Sequence, residues 1–327
     1  MNKETCRGIK DAKFWASLVE GKLTKLLEAI KADSELVLQF RNDYLNVYYH
    51  SGNVAKINSE KSVEISENYF ISCDEDSYDR SMKSDEDRKK HDRLIKWRNE
   101  TKQLFYDGKY TEYFSRMKET MQKYWNYYHP EGHEDEGDVQ QELSLNNQYF
   151  SKRSKYTIID LEHEVSINAD FCYKGTTPFP KKNKGKIVLK EKPRFDIVAV
   201  NKKTGQLHVW ELKKGVGALY GSSGMHDHVD SFLHTIKKNE DAEKSFIEEM
   251  EYILMQKQIL GLIDKRLKIN KKEKVEFGFI YTFSDANKKN QQEERTEVEK
   301  LRGLKLKNIS ISEYPIIYLG PNEYTLK

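Results

Sequence analysis

The stretch Pro193-Arg194-Phe195-Asp196-Ile197-Val198-Ala199-Val200, followed closely by His208-Val209-Trp210-Glu211-Leu212-Lys213, constrains the fold of this chain more than any other. Both runs are rich in β-branched and aromatic residues and read as strands of a half-buried sheet. The turn-like Asn201-Lys202-Lys203-Thr204-Gly205 joins them. Side chains alternate faces along a strand, so Glu211 and Lys213 project together. If the two strands pair, Asp196 meets them. Two carboxylates and an ammonium on one sheet face form a workable set for metal-assisted phosphodiester hydrolysis.

The surrounding chain permits such a site and narrows its setting. Its 327 residues allow one large domain or two of ordinary size. Charged residues make up 33% of them, yet a 37% hydrophobic share over this length can bury a sizeable core. No apolar run approaches the roughly 18–20 residues that span a bilayer, and Met1-Asn2-Lys3-Glu4 opens no secretory signal. Cys6, Cys73 and Cys172 are scattered and odd in number. They make no disulfide framework, so a cytoplasmic protein with reduced thiols and no membrane partner is expected.

A net charge of +3 neither demands nor excludes nucleic acid, so local distribution matters more. Lys181, Lys182, Lys184, Lys186, Lys190, Lys192 and Arg194 crowd the approach to the two strands, a position suited to phosphate contacts. A second basic run, Lys265 to Lys274, and the acidic Glu131 to Asp138 read as solvated loops.

Residues 1–130 read as an α+β region of unassigned role, serving substrate selection, regulation or dimerisation. Leu23, Leu26, Leu27 and Ile30 mark a helix, and 36–40, 44–49 and 54–57 mark strands. Residues 74–87 are acidic and weakly apolar and read as a loop. Helices are expected near 88–105 and 110–128; in the second, Tyr113, Phe114, Met117, Met121, Tyr124 and Trp125 fit core packing better than base stacking. His129-Pro130-Glu131-Gly132 breaks that helix and marks a boundary. His129 and His133 lack the spacing of a metal site and read as exposed loop. Residues 131–327 then give a helix N-capped by Asp138, a strand from Tyr156, the two motif strands, and a glycine-rich loop over 215–224. Helical sequence follows around 229–236 and 242–262, then a strand at 275–281 and another within 306–319. This α/β order fits a mixed central sheet flanked by helices.

Hard carboxylate oxygens suit Mg²⁺ or Mn²⁺. Asp196 and Glu211 would hold the ion, joined by the backbone carbonyl of Leu212. Lys213 would orient the attacking water or stabilise the transition state. A further acid is expected on the preceding helix; Glu142 is the choice there, with an ordinary surface glutamate as the alternative. Gln256 and Gln258 lie in helix-like sequence that could also face the site. Acid-x-lysine recurs elsewhere, as in Asp11-Ala12-Lys13 and Glu100-Thr101-Lys102. Only Glu211-Leu212-Lys213 ends an apolar strand preceded by a second one bearing an acid. Such charges in a half-buried sheet are costly unless paired or metal-bound. Gly224-Met225-His226-Asp227-His228 lacks the ligands of a zinc site and reads as a substrate loop or helix start. Lys190, Lys192, Arg194, Lys214, His226 and His228 are the candidate nucleic-acid contacts.

Pro193 to Lys213 resembles the signature of the PD-(D/E)XK nuclease superfamily. The resemblance spans roughly Asp138 to Leu319 and implies a restriction-endonuclease-like αβββαβ core with its site at one sheet edge. By match it implies Asp196 and Glu211 as metal ligands, Lys213 as the catalytic lysine and Glu142 as the helix acid. One departure is that Pro193 stands three residues before Asp196 instead of beside it. The expectation is a metal-dependent nuclease cutting DNA, in restriction or phage defence. Two alternatives are an RNA-cleaving effector and a binding module on a nuclease scaffold with little catalysis. Cutting both strands of a duplex calls for two sites, so a homodimer, or an accessory defence protein, is the expected partner.

Overall fold

The computed structural model describes residues 7–71, 84–128, 136–148, 151–165, 193–221, 224–306 and 309–327. The chain divides into two compact units at Gln141/Glu142. The Pro-Gly break at 129–132, and with it His129 and His133, lies outside the described residues.

In the first unit, Asp11 caps α1 (Ala12–Val19) by accepting the Phe14 N–H at 2.8 Å. Helix α2 (Thr24–Ala32) follows, burying Leu26, Leu27 and Ile30. Strands β1 (Val37–Phe40), β2 (Tyr44–Tyr49), β3 (Gly52–Asn58) and β4 (Val63–Glu64) form an antiparallel meander in chain order. His50 and Ser51 at φ 42° and 57° make its tight β2–β3 turn. Helices α3 (Asn68–Ile71), α4 (Asp85–Tyr106) and α5 (Tyr110–Tyr128) complete the unit. Tyr113, Phe114, Met117 and Met121 of α5 are buried, and the Tyr113 hydroxyl donates to the Val54 carbonyl at 2.6 Å. Helix α4 starts within the stretch read as loop, because Ser84 and Asp87 form a reciprocal capping box.

Helix α6 (Glu136–Asn146) carries the division between the units. Asp138 lies inside its first turn and does not cap it. The second unit is built on a five-stranded mixed sheet with order β11-β8-β7-β6-β5. Strand β6 (Arg194–Asn201) pairs antiparallel with both β5 (Tyr156–Glu164) and β7 (Leu207–Lys214). Helices α7 (Met225–His234) and α8 (Glu240–Ile259) then cross over to β8 (Glu276–Thr282), which runs parallel to β7. Helix α9 (Lys288–Arg302) and the hairpin β9 (Lys305–Leu306) and β10 (Ile309–Ser310) precede β11 (Ile316–Leu319), parallel to β8. The class is therefore mixed α/β. Among the described residues no helix is long and apolar enough to cross a membrane.

The central strands are buried almost throughout: Phe195, Ile197, Val198, Ala199, Val200, Val209 and Leu212 are inaccessible to solvent. Gly278 lies opposite Trp210 on β7. A Cβ there would stand 2.4 Å from the indole and 2.9 Å from the Pro315 carbonyl, so only glycine leaves room for the Trp210 ring. Buried Asn147 closes the unit. Its amide donates to the Leu143 and Tyr324 carbonyls at 2.7 and 2.6 Å, and its oxygen accepts from Ser154 Oγ and the Leu326 N–H.

Candidate functional site

Strands β6 and β7 pair from Val200↔Leu207 to Ile197↔Trp210. One step further along this register, Asp196 comes opposite Glu211. The Asp196 carboxylate accepts the Leu212 N–H at 2.8 Å. Alternation along β7 places Glu211 and Lys213 on one face, and Lys213 Nζ lies 3.2 Å from Glu211 Oε1. His228, on the second turn of α7, brings Nδ1 to 3.0 Å from the same oxygen. The result is a compact group of two acids, a lysine and a histidine.

Its electrostatics follow from enclosure. Glu211 and Lys213 are only 2% and 3% exposed, while Asp196 is partly buried. Burial first, and then the neighbouring Glu211 charge, push the Asp196 carboxyl up to about 8; Lys213 and His228 act in the opposite sense. The strand register sets these two carboxylates side by side across β6 and β7. Two carboxylates held this close repel unless a proton or a cation lies between them. They are the pair that could hold a hard cation. Among the described residues, no group of three or more His, Cys, Asp or Glu side chains is placed to hold a metal, so water and backbone oxygen would supply the remaining ligands.

The other residues singled out from the sequence fall in different places. The Glu142 carboxylate accepts from Asn146 Nδ2 at 3.2 Å on its own helix. Arg194 is exposed and lies 3.6 Å from Glu162, which the β5–β6 register sets across from Asp196. His226 faces the Leu304 carbonyl at 3.4 Å, and burial lowers its pKa. Lys214 ends β7 opposite Thr282. Gln258 clamps the Asp264 and Leu267 carbonyls, at 2.9 and 2.8 Å, and Gln256 is buried. Lys190 and Lys192 lie outside the described residues.

Two polar groups were not anticipated. Tyr281 lies opposite Lys213 on β8, and its hydroxyl donates to buried Glu294 of α9 at 2.7 Å. Burial and then Glu294 hold the Tyr281 hydroxyl well above its usual range. Behind β5, fully buried His163 is bracketed by Asp160, at 2.8 Å from Nδ1, and Glu249, at 3.6 Å from Nε2. Burial works to lower its pKa, but the two carboxylates outweigh burial and raise it. The sequence signal was an acid inside the apolar run Tyr156 to Leu161. Comparison with known proteins matches no family model, no curated protein and no solved structure.

Proposed function

We propose that this chain is a divalent-metal-dependent nuclease acting on DNA, with its site on a restriction-endonuclease-like core of the PD-(D/E)XK type. The observation that carries the reading is the convergence of Asp196, Glu211 and Lys213 where the β6–β7 register ends. The order helix, three antiparallel strands, helices and parallel strand supports the fold assignment.

The donor set fits Mg²⁺ or Mn²⁺. Asp196 and Glu211 offer crowded hard oxygens whose repulsion a dication would relieve, and the Leu212 carbonyl is the proposed third ligand. When bound, such an ion lowers the pKa of its water and neutralises charge building on the phosphate. The residues do the rest. Glu211 anchors the Lys213 ammonium at 3.2 Å, so this cation is held in place before substrate arrives. From there Lys213 orients a water and offsets phosphoryl charge. The near-complete burial of the pair strengthens each of these interactions over its value in water. Glu142, bonded within its own helix, is assigned no step.

The test is incubation of the full chain with supercoiled plasmid, linear duplex, single-stranded DNA and RNA, each with Mg²⁺, Mn²⁺ or EDTA. Asp196→Asn keeps an oxygen for the Leu212 N–H, and Lys213→Ala removes the ammonium. Cleavage that needs metal and drops at least ~100-fold in both variants is expected. Undiminished cleavage in either variant refutes the assignment. Cleavage of RNA alone overturns the choice of DNA.

A further inference from the structure

Glu211 Oε1 is held from two sides: by Lys213 on its own strand, and by His228 on a different element. We infer that His228 is the positioning residue for the Glu211 carboxylate, fixing Oε1 so that the other oxygen is presented to a divalent cation shared with Asp196. This rests on the reading of the site as a metal centre.

The placement of His228 is built into the fold. After β7 the chain makes a 3-10 turn, Val216–Ala218, and returns along Leu219 and Tyr220 to the start of α7. Gly224 caps that start under tight confinement: a Cβ would lie 2.6 Å from the Leu219 carbonyl and 2.8 Å from Tyr220 backbone. The Met225 N–H also donates to the Leu219 carbonyl at 3.1 Å. The first turn of α7 is thereby seated on the segment leaving the Glu211-Leu212-Lys213 strand. Met225, Val229 and Phe232 bury the inner face of the helix. His228 stands at the edge of that face, one turn on from Gly224. Its side chain is 16% exposed while that of Glu211 is 3% exposed, so the imidazole reaches a more deeply buried carboxylate from nearer the surface. Nδ1–H donating to Oε1 removes the torsional freedom a glutamate otherwise keeps. Ligand-orienting hydrogen bonds of this kind change metal affinity by about 10–100-fold.

The experiment is a calorimetric titration of the full chain with Mn²⁺, beside plasmid cleavage as a function of Mg²⁺ concentration. His228→Asn places an amide N–H where Nδ1 stood, whereas His228→Gln places it near Nε2. Mn²⁺ affinity in His228→Asn within ~3-fold of wild type is expected, with a ~10–100-fold loss in His228→Gln and His228→Ala and a matching rise in the Mg²⁺ needed for half-maximal cleavage. Thermal melts show whether each variant is folded, and the Asn/Gln contrast stands even where Ala is not. Equal Mn²⁺ affinity in wild type, Gln and Ala overturns the inference and leaves the nuclease reading intact, even if cleavage is lost. No Mn²⁺ binding and no cleavage by wild type overturns both.

Discussion

At the scale of single residues, the two histidines of α7 show where sequence reasoning stops. His226 and His228 are two apart, so they point about 200° from each other around a helix. Only one can face β7, and which one depends on how the helix is seated by Gly224. Asp196, Glu211 and Lys213 were legible because each interrupts an otherwise apolar strand. Glu142 offered no such signal, since a glutamate on a half-polar helix is unremarkable wherever it points. Another histidine carries a pH prediction. His208 is 4% exposed, stacked on Trp210 at 5.6 Å, edge-on to Tyr156, 3.4 Å from Glu276 and within the field of Lys155. Burial lowers its pKa from 6.5 to about 4, with Glu276 opposing and Lys155 assisting. Between those values the unfolded chain binds a proton that the folded chain refuses, so stability falls as pH drops. His208→Phe keeps the ring stack and removes the proton. Urea denaturation at pH 7 and pH 4.5 is expected to show a loss in wild type that is about 2–3 kcal/mol larger than in the variant. Parallel pH dependences would rule this out.

At the scale of elements, the apolar strands and the longer helices α4, α5 and α8 were legible, whereas α9 was not. Strands β6, β7 and β8 are buried on both faces, so their sequences are almost continuously apolar. Helix α9 buries only Glu294, Val298 and Leu301, too few to show a helical period. The start of α4 was hidden by acidic composition, although Ser84-Asp85-Glu86-Asp87 carried a capping signature. Strand β4 has two residues and no pattern to show. Helix α8 is tied to β5 by polar contacts as well as by packing: Glu249 reaches His163, and Lys257 Nζ donates to the Ile159 carbonyl at 2.7 Å. A three-residue spacing would put Asp160 and His163 on opposite faces of a regular strand. Glu162, at φ 49° between them, accompanies their meeting on one side. His163→Ala leaves two buried carboxylates facing each other and is expected to cost about 3–5 kcal/mol by denaturant unfolding near pH 6. A loss below ~1 kcal/mol would mean that the clamp is apolar packing alone.

At the scale of the whole molecule, the pattern of the sequence shifts after residue 128, while the compact units divide at Gln141/Glu142. A single continuous helix, α6, contains that division, and helical periodicity does not report where a compact unit ends. Residues distant in sequence hold the second unit closed. Through Asn147 the end of α6 binds Tyr324 and Leu326, contacts spanning 177 and 179 positions. Asn147→Ala strands several buried partners and is expected to lower the stability of 142–327 by about 2–4 kcal/mol. Amide exchange should then quicken across β5 to β8 and stay unchanged in β1 to β3; uniform quickening in both units would contradict this. The hydrogen bond between Asp196 and the Leu212 N–H has a consequence of another kind. It makes this acid a rung of the sheet as well as part of the candidate site. A two-carbon side chain ending in oxygen is needed to bridge the strands there, and only aspartate and asparagine have one. Drift at position 196 is therefore confined to a single neighbour, and a lineage that abandoned the chemistry would be expected to carry asparagine in its place.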